Sequence, residues 1–168
     1  MTKFVGNELP YDLYERLQGD NLEAYADKVI LISTVDGKGW PHPAMLSYFE
    51  VVALDRRNLR LATYKASGTT DNMRSNGLAT ISIIDERMAY YIKGSVTELK
   101  REMASTPHNA KLNMHIEQVL KDEANEEYEA GAYVSGGVTY RNPNRAAEML
   151  KAREVLAELL EEEVVGNS

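Results

Sequence analysis

Apolar positions change period twice along the chain, from helical to alternating and back to helical. Near the start, Leu13, Leu17 and Tyr14 recur at helical spacing behind Pro10, a residue suited to a first helical turn, and Gly19 marks the stop. This predicts an N-terminal helix over about 9–18. Residues 28–35, KVILISTV, then form a β-branched apolar run of strand length closed by the turn pair Asp36-Gly37. KGWPHP reads as a turn, AMLSYFEVVAL as a second strand, and DRRN as the next turn. In the strand that follows, Leu59, Leu61 and Thr63 alternate with Arg60, Ala62 and Tyr64, which puts one face in a core and the other outside. TTDNMRSNG interrupts the strands as a short helix: Ser67 or Thr69 can cap it, Asp71 suits its positive end, and Gly77 can end it.

LATISII and MAYYIKGSVTEL are the fourth and fifth strands, and Tyr90 and Tyr91 should face opposite sides. Leu112, Met114 and Ile116 alternate in KLNMHIEQVL, a sixth strand with a helix as the alternative. GAYVSGGVTY reads as a further strand or an irregular edge. A C-terminal helix over about 143–163 begins behind the cap pair Asn142-Pro143, with Ala146, Met149, Leu150, Leu156, Leu159 and Leu160 as its apolar stripe. Consecutive strands joined by short turns, with helices at the margins, predict a mainly β fold, an antiparallel barrel over about 28–140 in preference to a sandwich.

Composition narrows this picture. A chain of 168 residues, 43% of them hydrophobic, suits one domain with a real core, and no repeat or linker divides it. The net charge of −7 argues against a nucleic-acid grip. Part of that charge sits in KDEANEEYEA and ELLEEE, runs expected to solvate a surface. With no cysteine, disulfides, thiolate nucleophiles and cysteine-ligated metal centres are excluded. No apolar run reaches the roughly 20 residues of a membrane-spanning helix, and the N-terminus lacks the apolar block of a signal peptide. A soluble, cytoplasmic protein is therefore expected.

The chemistry concentrates between the third and fourth strands, in TYKASGTTDNM. A helix N-terminus offers unpaired N–H groups and partial positive charge, Gly68 allows close approach, and Ser67, Thr69 and Thr70 carry hydroxyls. Lys65 and Arg74 stand nearby in sequence with full charges. These are materials for a phosphate cradle, or simply for capping a surface helix.

The order of elements over 28–99 resembles the FMN-binding split-barrel family that includes pyridoxamine 5'-phosphate oxidase: two strands around DGKGWPHP, a strand ending in Thr63, Ser67 opening a short helix through Asn72 and Met73, Asn76 before the next strand, and GSVTEL. The resemblance implies a homodimer with FMN in a groove at the subunit interface. It implies that Ala44, Met45, Leu46 and Ser47 flank the isoalloxazine ring. Thr63 would bond near the phosphate or ribityl chain, and Ser67, Thr69 and Thr70 would hold the phosphate. Asn72 occupies a common family helix position, and Lys65 or Arg74 would be the charge available to the phosphate, unless N–H and O–H donors alone hold it.

The chain also departs from that pattern. Many members carry Ser-Arg-Lys where Ser67-Gly68-Thr69 stand, so two phosphate-binding charges are missing from their places. A family tyrosine, glutamine and arginine fall on Ala62, Ala89 and Ala44, and the C-terminal Arg/His substrate motif has no counterpart. Oxidation of pyridoxamine phosphate itself is therefore not expected. The expectation is an FMN oxidoreductase passing electrons between NAD(P)H and a small-molecule acceptor. The alternative is a non-catalytic module holding FMN, haem or a deazaflavin. His42, between two prolines, is read as a turn residue, His115 as a conceivable haem ligand, and three dispersed histidines argue against zinc. No residue presents itself as a catalytic acid or base.

Overall fold

The computed structural model describes residues 1–163. These residues form eight strands and three α-helices: β1 (Thr2–Gly6), α1 (Tyr11–Arg16), β2 (Val29–Val35), β3 (Pro41–Ser47), β4 (Val51–Ala53), β5 (Asn58–Tyr64), α2 (Gly68–Asn76), β6 (Leu78–Asp85), β7 (Met88–Lys100), β8 (Asn109–Asp122) and α3 (Arg145–Leu160). One antiparallel sheet runs β3-β2-β6-β7-β8-β5-β4. Strand β8 is long enough to serve three neighbours: its first half pairs with β5, its last residues with β1, and its other edge with β7. The result is a mainly β, antiparallel split barrel with helices at its margins.

The sheet curls where the β7–β8 register shifts, between Lys93 and Gly94 and again between Glu98 and Lys100. Gly94 is required at the first shift, because a Cβ there would stand 2.2 Å from the carbonyl oxygen of His115. Inside the curl, Ile30, Ile32, Leu59, Leu61, Ile81, Ile83, Ile92, Leu112, Met114 and Ile116 pack together. Leu9, Leu13 and Leu17 join this cluster from the α1 region and Met73 from α2. A second cluster lies outside the barrel, where Ala152, Val155, Leu156 and Leu159 of α3 cover Phe49, Val52 and Ala62.

Several expectations are corrected here. Strand β1 was not anticipated; its burial pattern is almost wholly exposed, so no alternation marks it, and only pairing with β8 defines it. The single strand expected over 44–54 is two strands separated by a turn, and β3 begins at Pro41, so His42 lies in a strand opposite Thr34. Of the two expectations for residues 131–140, the irregular edge is the one found: the segment forms no strand and meets the sheet at one bridge, Lys28 to Thr139, and through the N–H groups of Arg87 and Val29, which donate to the carbonyls of Val134 and Val138. Helix α3 starts at Arg145 behind Asn144, not behind Asn142, whose side-chain amide oxygen accepts from Asn144 N–H at 2.9 Å. Its buried stripe is Ala152, Val155, Leu156, Glu158 and Leu159, while Leu150 and Leu160 face solvent. The run ELLEEE is not simply solvated: Glu158 turns inward and accepts from the N–H groups of Ala104 (2.8 Å) and Ser105 (2.7 Å). Lys111, fully buried beneath the helix, donates to the carbonyls of Glu158 (2.7 Å) and Glu161 (3.0 Å), closing the negative end of α3.

Candidate functional site

Helix α2 begins as its sequence dictates. The Ser67 hydroxyl accepts from Thr70 N–H at 3.2 Å, and Gly77 ends the helix in the left-handed conformation at φ 70°. The hydroxyls around this start are largely committed within the protein. Thr70 Oγ1 donates to the Tyr64 carbonyl at 2.8 Å and lies 2.6 Å from Thr63 Oγ1. Each hydroxyl has one proton, so Thr63 is the donor in that pair. Ser67 Oγ also donates to the Tyr64 carbonyl, at 2.8 Å. Thr63, Thr69 and Thr70 are all buried. What remains open at the helix start is backbone: the N–H groups of Gly68 and Thr69 have no partner among the described residues. His42 borders this opening, since a Cβ at Gly68 would meet its Cε1 at 3.3 Å and Nε2 at 3.5 Å.

The nearby positive charges point elsewhere. Arg74 donates to Glu98 (2.7 Å), Asp71 (3.0 Å) and the Lys65 carbonyl (2.6 Å). Lys65 pairs with Glu102. Asn72 donates to Thr34 Oγ1 at 3.0 Å, which fastens α2 to the β2–β3 hairpin. Of the residues singled out in the sequence, Thr63, Ser67, Thr69 and Thr70 gather at the α2 start, Asn72 and Lys65 stand beside it with their polar ends engaged, and Met45, Leu46 and Ser47 lie apart.

Those last three line a cavity of about 570 Å³ between the end of β3, the end of β5 and helix α3. That volume is in the range of small-molecule sites. Tyr64 joins the two regions: its carbonyl anchors the α2 cap while its exposed ring lines the cavity. Opposite β3 stand Tyr140, Asn142, Arg145 and Glu148. Arg145 is held by Glu148 (2.5 Å) and the Tyr140 carbonyl (3.1 Å), and its guanidinium lies 5.5 Å from the centre of the Phe49 ring. Glu50 enters from the β3–β4 turn, its Oε2 accepting from Ser47 N–H (2.7 Å) and Ser47 Oγ (3.0 Å). Burial pushes its carboxyl pKa up, and Glu148 adds to this, while the two Ser47 bonds oppose it.

Lys28, on the cavity rim, is anchored on its far side by Asp85, which also binds Arg16. Arg16 in turn donates to Tyr48 OH at 2.8 Å, and Tyr48 stacks on Tyr25 with ring centres 4.8 Å apart. Burial alone would raise the Asp85 carboxyl; hydrogen bonds from Lys28 and Arg16 outweigh it and hold the pKa at about 2. Among the described residues, no cluster of three or more His, Asp or Glu could hold a metal ion. His115 is exposed beside Asn58, its Nδ1 3.3 Å from the amide oxygen, and no helix among the described residues is long and apolar enough to cross a membrane.

Residues 22–157 match the pyridoxamine 5'-phosphate oxidase family along most of the chain. The chain belongs to that family. Over 81 residues it is 36% identical to the uncharacterized protein YclD of Bacillus subtilis (strain 168), which is 48% of this chain and 53% of YclD. The chain thus matches about half the length of that curated relative. A Lactobacillus delbrueckii protein provisionally assigned as a pyridoxamine 5'-phosphate oxidase shares the fold, with a TM-score of 0.55 and 16% identity over 71% of this chain and 98% of that one. So does an FMN-binding protein from Syntrophomonas wolfei, with a TM-score of 0.53 and 14% identity over 68% and 88%.

Sequence reasoning missed the far wall of this family member's cavity. Tyr140, Arg145 and Glu148 come from a segment without periodicity and the first turn of α3, and nothing local says that they return to β3. Glu50 was hidden for another reason: a single strand read over 44–54 leaves no turn to project it. The one available signal was Tyr64, an aromatic residue on the outward side of its alternation.

Proposed function

We propose that this protein binds FMN and acts as an oxidoreductase between NAD(P)H and a small acceptor. The observation that carries the reading is the continuity, through Tyr64, between the open start of α2 and the cavity walled by Met45, Leu46 and Ser47. The N–H groups of Gly68 and Thr69 suit an anionic end. β3 runs from His42, beside that opening, to Ser47 on the cavity, a rise of roughly 16 Å. That geometry suits a ligand with a phosphate at one end and a flat ring at the other. FMN supplies the electron chemistry; the chain's part is to seat the phosphate on backbone donors, lay the ring against β3 and keep water from its face. Family membership and the FMN-binding relative with the same fold support this choice of cofactor.

A second copy of the chain completes the reading. Trp40, just before β3, and Met45, within it, are 68% and 58% exposed, and Leu78 and Val35 lie exposed at the ends of β6 and β2. Burying them in a homodimer removes them from water and closes the groove beside β3. A cytoplasmic location fits a reduced nicotinamide donor and a chain without cysteine.

The test compares FMN with riboflavin, which lacks the phosphate, in the wild type and in Gly68→Arg. Restoring a cation at the helix start should tighten FMN by about tenfold and leave riboflavin unchanged. The new side chain needs His42 to move by a few tenths of an ångström. Equal affinities for FMN and riboflavin in the wild type, or no gain in the variant, would remove the phosphate seat. Bleaching of bound flavin by NAD(P)H, with reoxidation by an acceptor, separates an enzyme from a binding module.

A further inference from the structure

The cavity beside β3 has an unbalanced charge. Its cations are committed: Lys28 to Asp85, Arg145 to Glu148, and Lys151 to Glu154. Glu148 is further occupied by Asn142, which donates to the same oxygen at 3.0 Å. Glu50 is different. Its Oε2 takes two bonds from Ser47, its Oε1 has no partner, and no ion pair reaches it among the described residues. A half-buried carboxylate without a counter-ion carries a desolvation cost, and a ligand that brings positive charge relieves that cost.

The walls narrow the ligand further. Tyr64 and Tyr140, 66% and 56% exposed, both line this cavity, and an aromatic face attracts a cation that it need not hydrogen-bond. A primary ammonium is held by about three acceptors, and of those near Glu50 the Asn142 amide oxygen already accepts from Asn144 and Glu148 Oε2 from both Asn142 and Arg145, which leaves Glu148 Oε1 as the open oxygen opposite. One charge and two rings instead suit a methylated ammonium group. We propose that this cavity binds a small quaternary ammonium compound, with Glu50 as its counter-ion and Tyr64 and Tyr140 as its aromatic walls. The inference goes beyond the flavin reading: Tyr64 and the β3 side of the cavity are shared with the proposed ring site, so choline and FMN would exclude each other there, while the anion seat at Gly68 takes no part.

Choline, the probe, is titrated calorimetrically into the full-length protein, with its neutral carbon isostere 3,3-dimethylbutan-1-ol as the control. Choline should bind saturably, and the isostere at least about tenfold more weakly. Glu50→Gln, with folding checked by its melting curve, should weaken choline by about tenfold and leave the isostere unaffected. Tyr140→Ala, at an exposed position, should weaken choline without destabilising the protein, which keeps the test open if the Glu50 variant misfolds. Absence of choline binding, equal binding of the isostere, or indifference to both substitutions would overturn the proposal. A separate FMN titration on the same wild-type sample reads the flavin site independently, so failure of one reading is not failure of the other.

Discussion

The Thr63–Thr70 pair allows a sharp test of what the hydroxyl-rich helix start does. Thr70→Val keeps the shape of a fully buried side chain but removes the oxygen that donates to the Tyr64 carbonyl and accepts from Thr63 at 2.6 Å. The Tyr64 carbonyl keeps Ser67 as a donor, so the main loss is the stranded Thr63 hydroxyl, itself buried. Leaving one buried hydroxyl without a partner costs about 1–3 kcal/mol, so about 2 kcal/mol is expected. Thr63→Val should cost about 1 kcal/mol, because Thr70 still donates to Tyr64. In the double variant no donor is stranded, so it should cost about 2 kcal/mol rather than the sum of about 3, a coupling near 1 kcal/mol.

Denaturant titration followed by far-UV circular dichroism measures this, with an unchanged slope confirming that only stability moved. The melting temperature of Thr70→Val should fall by about 4–8 °C for a chain of this size. Strict additivity, or a Thr70→Val cost below about 0.5 kcal/mol, would refute the inward hydrogen-bond reading. FMN affinity measured on Thr63→Val adds a second readout. A change within about twofold agrees with a phosphate held by backbone N–H groups, whereas a loss beyond about tenfold at small stability cost would give Thr63 a direct ligand role.

Asp85 should govern acid stability. Its folded pKa of about 2 lies below the roughly 3.9 of an unfolded aspartate, so its contribution is present above about pH 4 and disappears as pH falls through about 2. Asp85→Asn should flatten that part of the pH–stability curve and cost about 3 kcal/mol at neutral pH by leaving Arg16 and Lys28 facing each other; an unchanged acid-unfolding profile would contradict it. Gly137→Ala would place a Cβ 2.1 Å from the Ile84 carbonyl oxygen, so the 131–140 segment should lift from the sheet. Hydrogen exchange at the N–H groups of Arg87 and Val29, which donate to Val134 (2.7 Å) and Val138 (3.1 Å), should then accelerate about tenfold or more, and unchanged protection would show that the segment is held elsewhere.

The sequence by itself determined the elements whose causes are local. Alternation over 59–64 and 112–116 marked strands because a sheet face repeats every two residues, and the Ser67 cap and Gly77 stop were legible because both act within a few residues. The family resemblance over 28–99 rested on those same elements in order. Only the tertiary structure decided what lies far apart in sequence. Whether the hydroxyls of Thr63 and Thr70 face a ligand or each other depends on how β5 and α2 meet. The α3 stripe was read correctly at Leu156 and Leu159 and wrongly at Leu150 and Leu160, which satisfy a helical period that packing on Phe49 and Val52 does not use. Lys111, a charged residue in a strand, is buried because the carbonyls of a helix end some fifty residues later come to rest on it. The cavity beside Glu50 has the same origin: β3 makes one wall, the return of residues 140–155 makes the other, and no local pattern records their meeting.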